Sequence, residues 1–166
     1  MNGLAEEVRQ QLAGMGQAYH RLILIVGPSG AGKTAALKEL AETLPAPYVN
    51  LSVVLSQRLL DYTSKVRPLR VPQLLVEITE LAGGSIVLID NTAVLFDTAL
   101  RQDPLRCLQS VSRNCTVVAT WNGTADGRTL TYALPGHPEY RRYQEPLPVV
   151  VNADRSIASP TIGESK

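Results

Sequence analysis

An α/β sandwich, with helices on both faces of a mainly parallel sheet, is the fold class this sequence predicts. Short β-prone apolar runs alternate with stretches whose apolar residues recur every three or four positions. The first of those runs, residues 22–26, is unbroken, as strands buried on both faces are. It leads directly into a glycine-rich turn and then a helical pattern, which is how a crossover to a parallel strand begins.

In chain order, Leu4, Val8, Leu12 and Met15 place one apolar stripe on a helix that ends near Gly14 or Gly16. The strand at 22–26 follows. After the glycine-rich turn a helix runs through Ala35, Leu37, Leu40 and Leu44 until Pro45 and Pro47 stop it. Residues 48–51 form a short second strand. Residues 52–62 read as a helix with Val54, Leu55, Leu59 and Leu60 inward, 65–70 as a basic connection, and 71–81 as a helix with Leu74, Leu75, Ile78 and Leu81 inward. A third strand spans 85–90. Asp103 or Pro104 opens a helix carrying Leu105, Leu108 and Val111. A fourth strand covers 116–121, a turn 123–127, and further strand or hairpin segments 128–134 and 147–151. One domain over residues 1–151 and a loose tail over 152–166 account for the chain.

Composition narrows the function. Of 166 residues, 45% are apolar, enough for a real core, and Lys+Arg 16 against Asp+Glu 15 leaves a net charge of +1. A body that grips nucleic acid by bulk charge is thereby excluded. The charged fraction of 19% is low enough to expect that a partner covers some surface. Cys107 and Cys115 are too few for a disulfide framework and read as small buried side chains in a reducing compartment. No run reaches membrane-span length, and the N-terminal segment reads as neither signal peptide nor polybasic anchor, so the expected location is the cytoplasm.

Gly27, Pro28, Ser29, Gly30, Ala31, Gly32, Lys33 and Thr34 match G-x-x-x-x-G-K-T without exception, and Ala35 follows as the helix begins. Glycines at these positions let successive N–H groups point inward around phosphates, and the positive end of the helix adds to the attraction. Lys33 is expected on the β- and γ-phosphates of ATP and the Thr34 hydroxyl on Mg²⁺. Asp90, carried to the end of an apolar strand, is the second metal-holding candidate, with Asp97 as the alternative. The next residue is Asn91, where many ATPases of this kind carry Glu. An amide can orient water but is no general base, so Asn91 either positions water or caps the turn. Thr120 and Asn122 share one face of the fourth strand and either sense the γ-phosphate or serve as strand-end turn residues. Trp121 between them reads as packing. His137 has no second ligand nearby, so no metal site is expected there.

Residues 101–142 hold six arginines and three acids. Arg106 and Arg113, seven apart, would lie along one helix face and are candidates for reaching a neighbouring subunit's γ-phosphate, as is Arg141-Arg142. A solvated, salt-bridged face and contact with DNA phosphates are the other readings.

Several segments together resemble a known family: GPSGAGKT, YVNLS (48–52), RPLRVPQLL (67–75), IVLIDNTAVLF (86–96), DPLRCLQSVSRN (103–114), TVVATWNG (116–123) and LTYALPGHPEY (130–140). The chain is similar over about residues 20–151 to the BrxF family, small P-loop proteins of type 3 BREX bacteriophage-exclusion systems. The resemblance implies a P-loop three-layer sandwich, a reduced AAA-like core without the usual C-terminal helical lid. It also implies an ATP- and Mg²⁺-binding accessory protein that works with other defence proteins. A homo-oligomer is expected, with DNA contacted weakly or through partners. Weak or partner-dependent ATP hydrolysis is the expected activity; a nonhydrolysing nucleotide switch or adaptor and a small-molecule kinase are the alternatives.

Overall fold

The computed structural model describes residues 3–16 and 20–153. Helix α1 (Gly3–Ala13) leads to strand β1 (Leu22–Gly27), helix α2 (Lys33–Thr43), strand β2 (Tyr48–Asn50), and helices α3 (Leu51–Leu59) and α4 (Arg67–Ala82). Strand β3 (Ile86–Asp90) and two 3₁₀ turns (Thr92–Phe96 and Thr98–Leu100) precede helix α5 (Pro104–Val111). Strands β4 (Thr116–Ala125), β5 (Thr129–Tyr132), β6 (Arg141–Gln144) and β7 (Val149–Asn152) complete the order.

The main sheet runs β2-β3-β4-β1-β7, and every pairing in it is parallel. Side-chain alternation sorts each strand onto two cores. Leu22, Leu24, Val26, Val87, Ile89, Val117 and Ala119 face α3, α4 and α5. Ile23, Ile25, Leu88 and Val118 face α1 and α2. The expected three layers are therefore present, and all of β1 is buried.

Four expectations need correction. Helix α4 begins at Arg67, inside the stretch read as a connection, because Pro68 suits a first helical turn. Pro72, within that helix, cannot donate to the Pro68 carbonyl, and the Gln102 side-chain amide donates to it instead at 2.9 Å. Leu60 and Leu81 face out rather than in. Leu60 lies past the end of α3, and the buried stripe of α4 steps from Ile78 to Ala82. Strand β4 runs through the expected turn to Ala125, pairing with β5, and the turn falls at 126–128, where the Asp126 carboxylate accepts from the N–H groups of Arg128 and Thr129. Strand β6 was not foreseen: Arg-Arg-Tyr-Gln carries no apolar alternation, and its pairing with β5 makes it a strand.

At its other end the chain extends slightly beyond the expected boundary. Asn152 belongs to β7 and Ala153 is buried, its N–H donating to Val26. The expected tail from 154 on lies outside the described residues.

The β5–β6 ribbon is clamped by aromatic rings. Tyr132 stacks on Phe96 with centroids 3.5 Å apart, and Trp121 meets Phe96, Tyr132 and Tyr143 edge-on. Trp121 is fully buried and its indole N–H donates to the Thr131 carbonyl at 3.0 Å, so the packing reading of this residue holds. Gly123 makes this approach possible: a Cβ there would lie 1.8 Å from the Thr131 carbonyl oxygen. Gly123→Ala is expected to destabilise the fold by roughly 3 kcal/mol or more, since the clash is with backbone that cannot rotate away. Urea denaturation checks this, and an unchanged midpoint would refute the close approach.

Candidate functional site

The phosphate loop is a product of local backbone chemistry. Strand β1 ends at Gly27, Gly30 and Gly32 take the left-handed conformation (φ 85° and 91°), and α2 starts at Lys33. The turn thus aims its N–H groups and the positive end of α2 into one cleft. The Lys33 ammonium lies in that turn, donating to the carbonyls of Gly27 at 2.7 Å and Pro28 at 2.6 Å. Burial lowers the Lys33 pKa, and the nearby Asp90 charge works the other way.

Opposite stands Asp90, 2% exposed at the end of β3. Strand β4 lies between β1 and β3, so carboxylate and loop face each other across one strand. Asp90 Oδ2 accepts from the Thr34 hydroxyl at 2.7 Å and the Tyr48 hydroxyl at 2.6 Å. Its Oδ1 accepts from the Thr120 hydroxyl at 2.9 Å and the Asn91 N–H at 2.9 Å. Burial would push this carboxyl pKa up, but the four donors outweigh it and hold the pKa below the ordinary value. The same contact acts in reverse on Tyr48, whose pKa is pushed up to about 12 by burial, by its hydrogen bond to Asp90 and by the Asp90 charge.

Most of the candidates named from sequence meet here. Ser29, Gly30, Gly32, Lys33, Thr34, Ala35, Asp90, Asn91, Thr120 and Asn122 line one cleft of about 340 Å³, within the range of ligand pockets. Gly27 and Pro28 contribute the carbonyls that hold Lys33, and Ala31 completes the turn by donating to Pro28. Asp97 is elsewhere, capping the second 3₁₀ turn through the Ala99 N–H. Asn91 is left-handed (φ 55°) and precedes the first 3₁₀ turn without a side-chain cap. Asn tolerates that backbone better than most residues, which supplies a local reason for its presence.

The arginines do not join this cleft. Helix α5 ends at Val111, so Arg113 lies beyond it and the two arginines do not share a helix face as expected. Arg106 is exposed beside Asp103, 3.9 Å away. Arg141 donates to the Gln102 carbonyl at 2.8 Å. The thiols of Cys107 and Cys115 are free and half-buried, with pKa values raised by burial, as small packing side chains should be.

Two residues of the site were missed. Thr92 lines the cleft and donates to the Thr120 carbonyl. Tyr48 pairs with Leu88, so alternation puts it on the face that Leu88 shares with Asp90. That register, not residue type, was the available signal.

A strand–G-x-x-x-x-G-K-T–helix turn facing an acid at a strand end, with one strand between, defines a P-loop nucleoside triphosphatase. The family model for the AAA group, ATPases associated with various cellular activities, matches residues 23–120, and the chain belongs to that family. Among solved structures it is similar to C. elegans PCH-2, at 25% identity and a TM-score of 0.41, covering 75% of this chain and 37% of that one. A structure concerning katanin self-assembly aligns at 17% identity and a TM-score of 0.44, covering 74% of this chain and 43% of that one. The chain thus spans less than half the length of either. No curated protein matches it.

The family implies ATP and Mg²⁺, and the donors present fit both. A hydroxyl beside a carboxylate supplies hard oxygen ligands, and a ring of N–H groups with an ammonium suits phosphates. Among the described residues no group of three or more His, Cys, Asp or Glu is placed to hold a metal ion on its own. No helix among them is long and apolar enough to cross a membrane.

Asp90 makes a pH prediction. A carboxyl whose folded pKa is lowered contributes stability above its unfolded pKa, near 3.9, and loses it as pH falls through the lowered value. Asp90→Asn should cost about 1–3 kcal/mol at pH 7, and its thermal stability should converge on that of the wild type as pH drops below about 4. A gap that stays constant from pH 7 to pH 3 would contradict the ionised network.

Proposed function

We propose that this chain binds ATP with Mg²⁺ and hydrolyses it slowly, or once a partner completes the site, as an accessory component of a bacterial anti-phage defence system. The observation that carries the nucleotide reading is the closed set of hydrogen bonds joining Thr34, Asp90 and Thr120 beside the phosphate loop. The loop N–H groups and α2 bind the phosphates, and Lys33 exchanges its two loop carbonyls for phosphate oxygens. Mg²⁺, held by Thr34 and Asp90, would neutralise charge on the β- and γ-phosphates. Thr120 and Asn122, which line the cleft from within β4, sense the transferred phosphate, and Asn91 orients water without taking its proton.

No Glu or His lines the cleft, and neither does any arginine, among the described residues. That incompleteness supports an oligomer in which a neighbouring copy or another defence protein supplies the missing group, with Arg106, Arg113 and Arg141 as candidate donors. Membership of the AAA family supports the same reading. Assignment to bacteriophage exclusion and to its partner proteins and DNA rests on the BrxF-like segments, above all DPLR (103–106) and PGHPEY (135–140), and assignment to the cytoplasm on the character of the N-terminal segment. The second reading, a nucleotide switch that does not hydrolyse, is favoured by Asn91 alone.

Phosphate release and mass-resolved oligomeric state, measured with ATP and Mg²⁺ for wild type and Lys33→Ala, test the proposal. Slow release that drops by about 10²-fold or more in Lys33→Ala is expected, with assembly on ATP. Tight binding with no release, alone or with partners, would favour the switch. Asn91→Gly separates backbone from amide: glycine adopts the left-handed conformation freely, so folding and ATP binding should persist. Release should fall by about 10²-fold if the amide positions water. An unchanged rate would assign Asn91 to the turn.

A further inference from the structure

One side-chain hydroxyl completes the β3–β4 ladder where the backbone leaves it. Thr116 donates its N–H to the Ser85 carbonyl at 2.9 Å, while the N–H of the neighbouring Val117 turns the other way, to Arg21 at 2.8 Å. The even-numbered residues of β4 therefore serve β3. The register ends at Ile89↔Ala119, and its next rung would set the Asn91 N–H on the Thr120 carbonyl. That rung is not made. Asn91 is left-handed (φ 55°), and its N–H goes to Asp90 Oδ1 at 2.9 Å. The buried Thr120 carbonyl still needs a donor, and the Thr92 hydroxyl supplies it at 2.5 Å. Thr92 is 2% exposed, so this hydroxyl is engaged inside the protein rather than offered to a ligand. The Thr120 hydroxyl meets Asp90 Oδ1 at 2.9 Å, so Thr120 holds the turn on both sides of Asn91, at Asp90 before it and at Thr92 after it. Asn91 makes no side-chain cap and lines the cleft.

Resting on the hydrolysis reading above, we infer that Thr92 is a positioning residue, whose hydroxyl fastens the turn at Asn91 to β4 and thereby sets where the Asn91 amide meets the attacking water. An amide that orients water without taking its proton acts through geometry alone. Its effect depends on placement, and an error of about 1 Å can cost about 10²-fold in rate. Held at Asp90 and Thr92, the left-handed residue has little room to shift. Without the Thr92 bond, only the Asp90 side remains tied to β4. Valine at 92 keeps the branched shape and removes the donor. Serine keeps the donor and removes the methyl group.

The test uses the full chain with ATP and Mg²⁺. It reads kcat and KM for phosphate release in wild type, Thr92→Val, Thr92→Ser and Asn91→Gly, and in Thr92→Val combined with Asn91→Gly. Thr92→Val should lower kcat by about ten-fold and leave KM within about two-fold of wild type, because the phosphate loop is untouched. Thr92→Ser should recover most of that loss. With Asn91→Gly already present, Thr92→Val should lower kcat no further, since residues acting through one another do not add. A merely structural role gives the same loss in both backgrounds, and that result would overturn the inference. An unchanged kcat, a change in KM alone, or a loss that Thr92→Ser shares would overturn it too, with ATP hydrolysis left standing. Should Thr92→Val fail to fold, Thr92→Ala takes its place, because serine and alanine differ by the hydroxyl alone. A wild type that binds ATP and releases no phosphate would instead favour the switch reading and remove the inference with it.

Discussion

The carboxylate of Asp90 is the point on which the site depends. A buried negative charge is costly unless its lone pairs are occupied, and a partly satisfied network is worse than an apolar one. Here the occupants come from four places in the chain: the first turn of α2, the edge strand β2, strand β4, and the backbone immediately after Asp90 itself. Each can reach the carboxylate only if the sheet is assembled in the order observed. The charge therefore ties loop, edge and centre of the molecule to one geometry.

That geometry extends away from the cleft. Asn91 turns left-handed, the next residues wind into a 3₁₀ turn, and the turn ends at Phe96, whose ring stacks on Tyr132. Trp121, one residue past Thr120 on β4, packs against the same rings. The ribbon of β5 and β6 is thus joined by apolar packing to β4 and to the 3₁₀ turn that follows β3. It occupies the connection from β4 to β7, where an α/β fold ordinarily uses a helix. The exposed residues of β6 include Arg142, so the ribbon presents charge at the rim of the same molecule.

The layers and the phosphate loop were legible in the sequence because their signals are local. An unbroken apolar strand and G-x-x-x-x-G-K-T need no knowledge of distant residues, and Asp90 ended its strand as an apolar run predicted. The features not legible were set by contacts across the chain. Helix α4 starts early because Pro68 suits its first turn, and the carbonyl that Pro72 strands is met by Gln102, thirty-four residues beyond Pro68. Strand β6 has no apolar pattern, and only its partner makes it a strand. Leu81 was misplaced by one step of a helical stripe, and Arg113 because its helix ends two residues before it, at Val111. Tyr48 was invisible as a site residue because its role follows from register with β3, a quantity that pairing creates and residue type does not announce.

Calorimetric titration of ATP into the wild-type chain, with and without Mg²⁺, tests the central claim most directly. The account predicts one site per chain whose affinity rises when Mg²⁺ is present, since the proposed function has Thr34 and Asp90 hold the ion beside the phosphates. Absence of binding, or binding indifferent to Mg²⁺, would contradict it.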